Sequence, residues 1–257
     1  MRRAQVVLLA GLMLAAGCGS EPGAGGSDSL RGRTFLSTAV TEDGRAKPLA
    51  GDSRVSLWFA DDGRLVANAG CNTMQGPVDT GDGRLGVEDL SMTEMGCDAA
   101  RHKQDEWLAK LLAAKPTWRL AQDTLTLESG TTTVTLLDKQ TAQPDLALTG
   151  TRWTLDTVVK GDVASNTAGS DKAYLVFADG RVTGSTGCNQ LSGTAAVDGA
   201  TITFGPIGRT RKGCPDGLAD VERAVLAVLD GTVGFEIDST RLTLKHPSGQ
   251  ALGLTGA

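Results

Sequence analysis

Short apolar runs that end at Asp-Gly turns predict β-hairpins along much of the chain. Residues 55–59 (Val-Ser-Leu-Trp-Phe) and 174–177 (Tyr-Leu-Val-Phe) each run into such a turn, and a further strand-like segment leaves it. Residues 201–204 and 242–244 alternate between apolar and polar, as half-buried strands do. The pattern predicts several antiparallel strands in each half of the chain.

One helix is predicted among the strands of each half. In the second half, Pro215 stands at a favourable first helical position, and an apolar face follows with helical spacing at Leu218, Val221, Val225 and Val228. In the first half, similar spacing joins Ala100, Gln104, Trp107 and Leu111. The fold class predicted is α+β, with each half a curled antiparallel sheet or partly open small β-barrel packed on one α-helix.

The two halves are copies of one module. Gly70-Cys71-Asn72 recurs 117 residues later as Gly187-Cys188-Asn189, and Gly96-Cys97 recurs at the same shift as Gly213-Cys214. One extra residue in a predicted hairpin turn separates this register from the one upstream, as a true duplication allows. We expect modules at residues 30–139 and 146–257, joined by a short polar linker.

The cysteines divide into one near the start of the chain and two matched pairs. Cys71 and Cys97 are separated by the same 26 residues as Cys188 and Cys214. Of the three pairings that four cysteines allow, only Cys71–Cys97 with Cys188–Cys214 both treats the copies alike and closes within each module. Free thiols and metal or redox chemistry are the alternatives. The chain has no Cys-x-x-Cys spacing, and its histidines, His102 and His246, are not in equivalent positions.

The first residues predict an exported lipoprotein. Arg2 and Arg3 precede an apolar stretch that is too short to span a bilayer, which takes a helix of about 20 residues. The segment Leu14-Ala15-Ala16-Gly17-Cys18 is typical of a lipobox, and an ordinary signal peptide with an incidental cysteine is the alternative. We expect a signal peptide at 1–17, palmitate and other acyl chains on Cys18, and a flexible linker at 18–29.

The net charge of the chain limits the classes of partner that it could bind. Loss of the predicted signal peptide moves the formal charge from −5 to about −7, which argues against nucleic acid as a partner. The expected location is the extracytoplasmic face of the cell membrane, with the membrane contacted through the lipidated N-terminus.

Three segments of the second copy resemble the META domain family, a domain found in a heat-inducible bacterial protein. They are Leu148-Thr149-Gly150-Thr151-Arg152-Trp153, Gly184-Ser185-Thr186-Gly187-Cys188-Asn189 and Thr210-Arg211-Lys212-Gly213-Cys214-Pro215, the last followed by a helix carrying Glu222. The first copy departs at Thr93-Glu94-Met95-Gly96-Cys97-Asp98, which lacks the Arg and Pro. The resemblance implies an exported protein with no established enzymatic activity and a loose association with envelope stress, motility and virulence.

The chain offers few groups for catalysis. Gly184-Ser185-Thr186-Gly187 and Gly51-Asp52-Ser53 superficially match nucleophile motifs, but both are interpreted as turns. We therefore expect no enzyme activity and no cofactor. Candidate binding residues are Asn72 and Asn189, which either present amides to a ligand or bond to nearby backbone, and the basic cluster Arg209, Arg211 and Lys212.

Three functions from different classes follow. The first is a non-catalytic, lipid-anchored envelope protein, with a binding or stress-related accessory role, whose paired modules contact an unknown envelope protein or polymer. The alternative is a carrier or sensor of a small apolar ligand held between sheet and helix. Large residues expected on the inner face, at Trp58, Phe59, Phe177 and Phe204, argue that the core is filled instead. An enzyme, such as a hydrolase, is the third and least favoured hypothesis.

Overall fold

The structure, a computed structural model, describes residues 29–161, 163–166 and 170–257. It divides into two compact units, the first ending at Asp138 and the second running from Lys139 to Ala257. The predicted signal peptide, Cys18 and all but the last residue of the predicted linker lie outside the described residues. Among the described residues, no helix has the length and apolar character needed to cross a membrane.

Within the described residues, each unit contains ten strands and one long helix. The elements of the first unit are β1 Thr34–Glu42, β2 Arg45–Ala46, β3 Ser56–Phe59, β4 Arg64–Asn68, β5 Thr73–Asp79, β6 Gly86–Val87, β7 Ser91–Met92, α1 Ala99–Ala113, β8 Thr117–Ala121, β9 Thr124–Ser129 and β10 Thr132–Asp138. Those of the second are α2 Lys139–Ala142, β11 Arg152–Lys160, β12 Val163–Ser165, β13 Ala173–Ala178, β14 Arg181–Thr186, β15 Gln190–Asp198, β16 Thr201–Phe204, β17 Gly208–Arg209, α3 Asp216–Val228, β18 Thr232–Asp238, β19 Arg241–Lys245 and β20 Gln250–Gly256.

The prediction of two tandem modules built from antiparallel sheet and helix is confirmed. In the first unit the sheet runs in the order β6-β5-β4-β3-β1-β10-β9-β8 and curls into a half-barrel. In the second unit β11 pairs with both β13 and β20, and β16 pairs with β18, so β11, β13, β14, β15, β16, β18, β19 and β20 form a closed ring. The second module is therefore more complete than the partly open barrel that the sequence predicted.

A proline accounts for the opening in the first module. In the second, Phe204 N donates to Gly231 O and Phe235 N donates to Ala200 O, both at 2.8 Å. Ile202 and Val233 lie opposite each other between these two bonds. The alternation of an antiparallel ladder therefore makes them a pair in which each N–H donates to the other residue's C=O. The residue equivalent to Val233 in the first module is Pro116, which has no N–H to donate. Leu85 N still donates to Pro116 O at 2.9 Å, and beyond it a single bridge joins Arg84 to Thr117.

Alternation along the strands places the core of each unit inside its curled sheet. In β3, Leu57 and Phe59 are buried, whereas Trp58 between them is 46% exposed. The expectation that Trp58 and Phe59 both face inward was wrong, because successive side chains of a strand point to opposite faces. Phe177 and Phe204 are buried as predicted, and with Trp153 they fill the second core.

The two helices pack through the faces that the sequence approximately predicted. In α3, Val221, Val225 and Val228 are buried, and Pro215 is the N-cap rather than the first helical residue. In α1 the buried face lies about one position further along than predicted. It consists of Gln104, Asp105, Leu108, Leu111 and Leu112. The Asp98 side chain caps α1 by accepting bonds from the amides of Ala100 and Arg101.

The segment predicted as a linker lies against the second unit. Lys139, at the start of the short helix α2, pairs with Asp238 at 2.6 Å, and Ser239 N donates to the Asp145 carboxylate at 2.6 Å. These contacts account for the unit boundary at Asp138 rather than within residues 140–145.

A disulfide joins two loops in each module. Cys71 is bonded to Cys97 and Cys188 to Cys214, with Cα–Cα distances of 6.2 and 5.9 Å. Each bond ties the turn after β4 or β14 to the residues just before the helix. The pairing within each module is the one that the equal separations favoured.

We predict that replacing both Cys188 and Cys214 with Ser destabilises the second module by about 3.5 kcal/mol, the loop-closure entropy of a loop of this length. Peptide-resolved hydrogen exchange in increasing denaturant measures each module separately. The matched Cys71→Ser/Cys97→Ser variant should shift the loss to the first module. Equal unfolding of the unmodified chain with and without reductant would contradict the prediction.

We predict that Pro116→Val extends the single bridge between Arg84 and Thr117, because the restored N–H is positioned to donate to Leu85 O. The amide of Val at position 116 should then exchange slowly with solvent, as a ladder amide does. Pro48→Val in the exposed loop after β2 is the control and should create no protected amide. Exchange at position 116 as fast as in that loop would show that the proline is not what keeps the barrel open.

Candidate functional site

A buried asparagine connects three parts of the second module. Asn189, only 2% exposed, follows Cys188 at the start of β15. Its Nδ2 donates to Glu222 Oε2 of α3 at 2.8 Å, and its Oδ1 accepts bonds from Thr210 Oγ1 at 2.7 Å and Lys212 N at 2.8 Å. One side chain therefore fixes the sheet to the helix and to the loop between β17 and α3.

The first module repeats this arrangement around Asn72, which is also 2% exposed. Its Oδ1 accepts bonds from Thr93 Oγ1 at 3.0 Å and Met95 N at 2.7 Å, the positions equivalent to Thr210 and Lys212. Its Nδ2 donates to Asp105 Oδ2 of α1 at 2.9 Å. We call each of these networks an asparagine clamp.

The two clamps differ in how the helix carboxylate is hydrogen-bonded to the backbone N–H of the asparagine. In the first module, Asn72 N donates directly to Asp105 Oδ2 at 3.0 Å. In the second, Asn189 N donates to Thr186 Oγ1 at 3.1 Å, and that hydroxyl donates to Glu222 Oε2 at 2.8 Å. The first module has Ala69 in place of Thr186, so the change of carboxylate accompanies loss of the hydroxyl that relays the bond.

Glu222 is held ionised by its partners. Burial alone raises the pKa of this carboxyl, but hydrogen bonds from Asn189, Thr186 and Arg209 outweigh it and bring the pKa below its ordinary value of 4.5. Arg209 Nε donates to Glu222 Oε1 at 2.9 Å. Both carboxylate oxygens of Glu222 are therefore occupied.

The candidate binding residues fall into two groups. Asn72 and Asn189 face inward, and their side-chain amides bond within the module to side chains and backbone 21–33 residues away rather than to nearby backbone. Arg209, at the end of β17, and Arg211 and Lys212, in the loop that follows, are exposed, and Arg209 is also part of the clamp. The equivalent exposed positions of the first module are Met92, Glu94 and Met95, and both methionines are large exposed apolar residues.

The sequence analysis missed the partners that make the asparagines structural. Thr93 and Thr210 were not recognised as a pair, nor were Asp105 and Glu222, although the 117-residue shift aligns both pairs. Asp105 was overlooked because an exchange of Asp for Glu on a helix resembles an ordinary surface substitution.

The serine hydroxyls of the nucleophile-like motifs form hydrogen bonds that stabilise turns. Ser185 is 6% exposed, and its Oγ accepts a bond from Gly187 N at 3.0 Å. Ser53 Oγ donates to Ala50 O at 2.7 Å and accepts a bond from Gln104 Nε2 at 2.7 Å. Gly70 and Gly187 both have positive φ, at 113° and 90°, so the turns that present the cysteines need glycine.

His102 contacts the residues that precede α1. It is half-buried in the first turn of α1, where its Nε2 accepts a bond from Cys97 N at 3.3 Å. The imidazole therefore lies beside the disulfide of the first module. Its equivalent in the second module is Ala219.

Comparison with known proteins gives a family and two distant structural likenesses. A family model described as the META domain matches residues 28–141 and again residues 146–257. No curated protein matches the chain. The chain is similar to a protein from Burkholderia xenovorans solved by NMR, with 23% identity over 43% of this chain and 83% of that one, and a TM-score of 0.38. It is also similar to a DUF4847 family protein from Bacteroides vulgatus, with 12% identity over 44% of this chain and 96% of that one, and a TM-score of 0.32.

We predict that Glu222→Gln destabilises the second module at neutral pH by about 1–3 kcal/mol, because Gln removes the charge that three donors share. A carboxyl whose pKa is lower in the folded state stabilises the fold above its unfolded pKa of about 4.5 and loses that contribution as pH falls through the folded value. The difference between variant and wild type should therefore shrink below pH 4.5. Thermal unfolding across pH measures it.

Glu236→Gln is the matched control, since this carboxylate is 68% exposed and pairs with Lys245 only on the surface. It should change stability by less than about 0.5 kcal/mol at any pH. A Glu222→Gln deficit that persists undiminished in acid would mean that the carboxylate charge is not what stabilises the clamp.

Proposed function

The chain belongs to the META domain family, with two domains in tandem, and from this we propose that it is a non-catalytic, lipid-anchored envelope protein that binds another macromolecule. The observation that carries the proposal is a pair of pinned, exposed loops, residues 91–97 and 208–214. We call these the display loops.

Each display loop is fastened from within by its asparagine clamp. The clamp bonds hold the threonine at its third residue and the backbone amide at its fifth, and the disulfide holds the seventh. Side chains between these points face solvent. A loop positioned by a rigid scaffold is the usual setting for binding residues, because little ordering entropy remains to be lost on association.

The two display loops carry different chemistry on the same frame. The first exposes Met92 and Met95, which are 46% and 59% exposed, and methionine adapts well to irregular apolar partners. The second exposes Arg211 and Lys212 beside Arg209. Guanidinium and ammonium groups suit carboxylate or phosphate groups, such as those of an anionic envelope polymer. The proposal is that the two modules bind different features of one partner, or two partners.

Binding rather than turnover is supported by how the reactive groups are used. The four thiols of the body are paired in disulfides, and Ser53 and Ser185 are engaged in turns. A carrier of a small apolar ligand is less well supported, because Trp153, Phe177 and Phe204 occupy the interior of the second barrel. Two weak sites on one chain gain avidity for a repetitive partner without further contacts.

The proposed location rests on the sequence of the first residues. A lipobox-like segment ending at Cys18 and a Gly/Ser-rich linker support the proposal that the modules lie outside the cytoplasm on a membrane tether. An oxidising compartment is also where paired disulfides persist.

We predict that a photocrosslinking amino acid at position 95 or 211 captures a partner in living cells, identified by mass spectrometry. Arg211→Glu/Lys212→Glu, with the crosslinker at position 208, should reduce capture by the second loop at least about tenfold, since two attractive charges become repulsive. The matched control is Lys172→Glu/Arg181→Glu, which reverses two exposed charges of the same module outside the display loop.

A further variant tests the membrane anchor, and two outcomes of the crosslinking experiment would contradict the proposal. Cys18→Ser should release the protein from membranes and reduce capture of a membrane-bound partner, which tests the anchor separately. Capture that is unchanged in the loop variant, or lost equally in the control, would remove the display loops as the binding surface.

A further inference from the structure

Two potential metal ligands, His102 and Asp105, lie beside the disulfide of the first module. Ligand atoms of Cys71, His102 and Asp105 all lie within 4.8 Å of one another. The sulfur of Cys97 is adjacent to this group through its bond to Cys71, and the Cys97 amide donates to His102 Nε2. Cys71, Cys97 and His102 are half-buried, so ions and reductants can reach them.

Asp105 supplies an independent sign of an unused coordination position. Its side chain is 1% exposed, and Oδ2 receives both bonds from Asn72. Oδ1 is buried and has no hydrogen-bond partner, one of two such atoms in the part of the chain that the structure describes. A buried carboxylate oxygen left without a donor is unfavourable, and a cation would relieve it.

We propose that reduction of the Cys71–Cys97 bond converts the first module into a site for Zn²⁺ or a similar divalent transition metal. The ligands are the Cys71 and Cys97 thiolates, a ring nitrogen of His102 and Asp105 Oδ1, two sulfurs, one nitrogen and one oxygen of the kinds that Zn²⁺ binds. A dithiol supplies two electrons and two protons, becoming a disulfide while the protein bond becomes two thiols. The metal then replaces the two thiol protons, which leave to solvent.

The second module provides the contrast that makes the site specific. It retains Cys188, Cys214 and a helix carboxylate, but Ala219 stands where His102 stands in the first. Both oxygens of Glu222 are also occupied, by Asn189 and Thr186 on one side and by Arg209 on the other. The residue equivalent to Arg209 in the first module is Met92, whose side chain has no hydrogen-bond donor for Asp105. The site therefore belongs to one copy only.

The test is titration of the full chain with Co²⁺ after reduction by a phosphine, which takes up oxygen from water as it cleaves the disulfides. We expect one Co²⁺ per chain with a thiolate-to-cobalt charge-transfer band, displaced by Zn²⁺. His102→Ala should weaken Co²⁺ binding at least about tenfold. Cys188→Ser/Cys214→Ser should retain the band, and Cys71→Ser/Cys97→Ser should lose it.

Hydrogen exchange of α1, recorded on the metal-loaded chain, distinguishes a built site from thiols in an unfolded segment. Protection of α1 in the loaded, reduced protein supports the proposal. The proposal is overturned by any of four results: no thiolate band, equal affinity in His102→Ala and wild type, a band that follows Cys188 and Cys214, or unprotected α1 amides in the loaded chain.

Discussion

The asparagine clamp is the interaction on which the architecture of each module depends. A curled sheet and a helix can bury their apolar faces against each other in several registers, because the hydrophobic effect is not directional. Asn72 and Asn189 remove that freedom, since each bonds to a carboxylate of the helix and to a loop residue at distances of 2.7–3.0 Å. Buried and fully engaged, such a polar group specifies one arrangement, because any shift leaves unsatisfied donors and acceptors in the interior.

The disulfide and the clamp act on the same segment in complementary ways. The covalent bond limits how far the loop before the helix moves when the module unfolds, whereas the clamp bonds fix its conformation in the folded state. Because the framework holds the backbone, residues between the fixed points are free to change. Met95 and Lys212 illustrate this: the backbone amide of each donates to an asparagine Oδ1, and the exposed side chains share no chemistry.

Much of the fold could be predicted from sequence, because its signals are local or repeated. The 117-residue shift aligned the cysteines and asparagines, and alternation identified the strands. What could not be predicted depends on pairs brought together only in three dimensions. Pro116 opens the first barrel because it faces Leu85 across the sheet, and Asn72 meets Asp105 although 33 residues separate them along the chain. Neither relation is visible from residue spacing within one copy.

The two clamps differ in whether the helix carboxylate has all its hydrogen-bond partners within the module. In the second module Thr186 donates to Glu222 Oε2 and Arg209 donates to Glu222 Oε1. The guanidinium of Arg209 also offsets the negative charge of this carboxylate. In the first, the equivalents Met92 and Ala69 provide no donor, and Asp105 keeps a buried oxygen without a partner. Such a carboxylate costs stability, of order 1–3 kcal/mol, and a module selected for stability alone would replace it with an uncharged residue. Its position beside an imidazole and two sulfur atoms gives the unsatisfied oxygen a chemical use. The physical difference between the copies is therefore a difference in what their carboxylates remain free to bind.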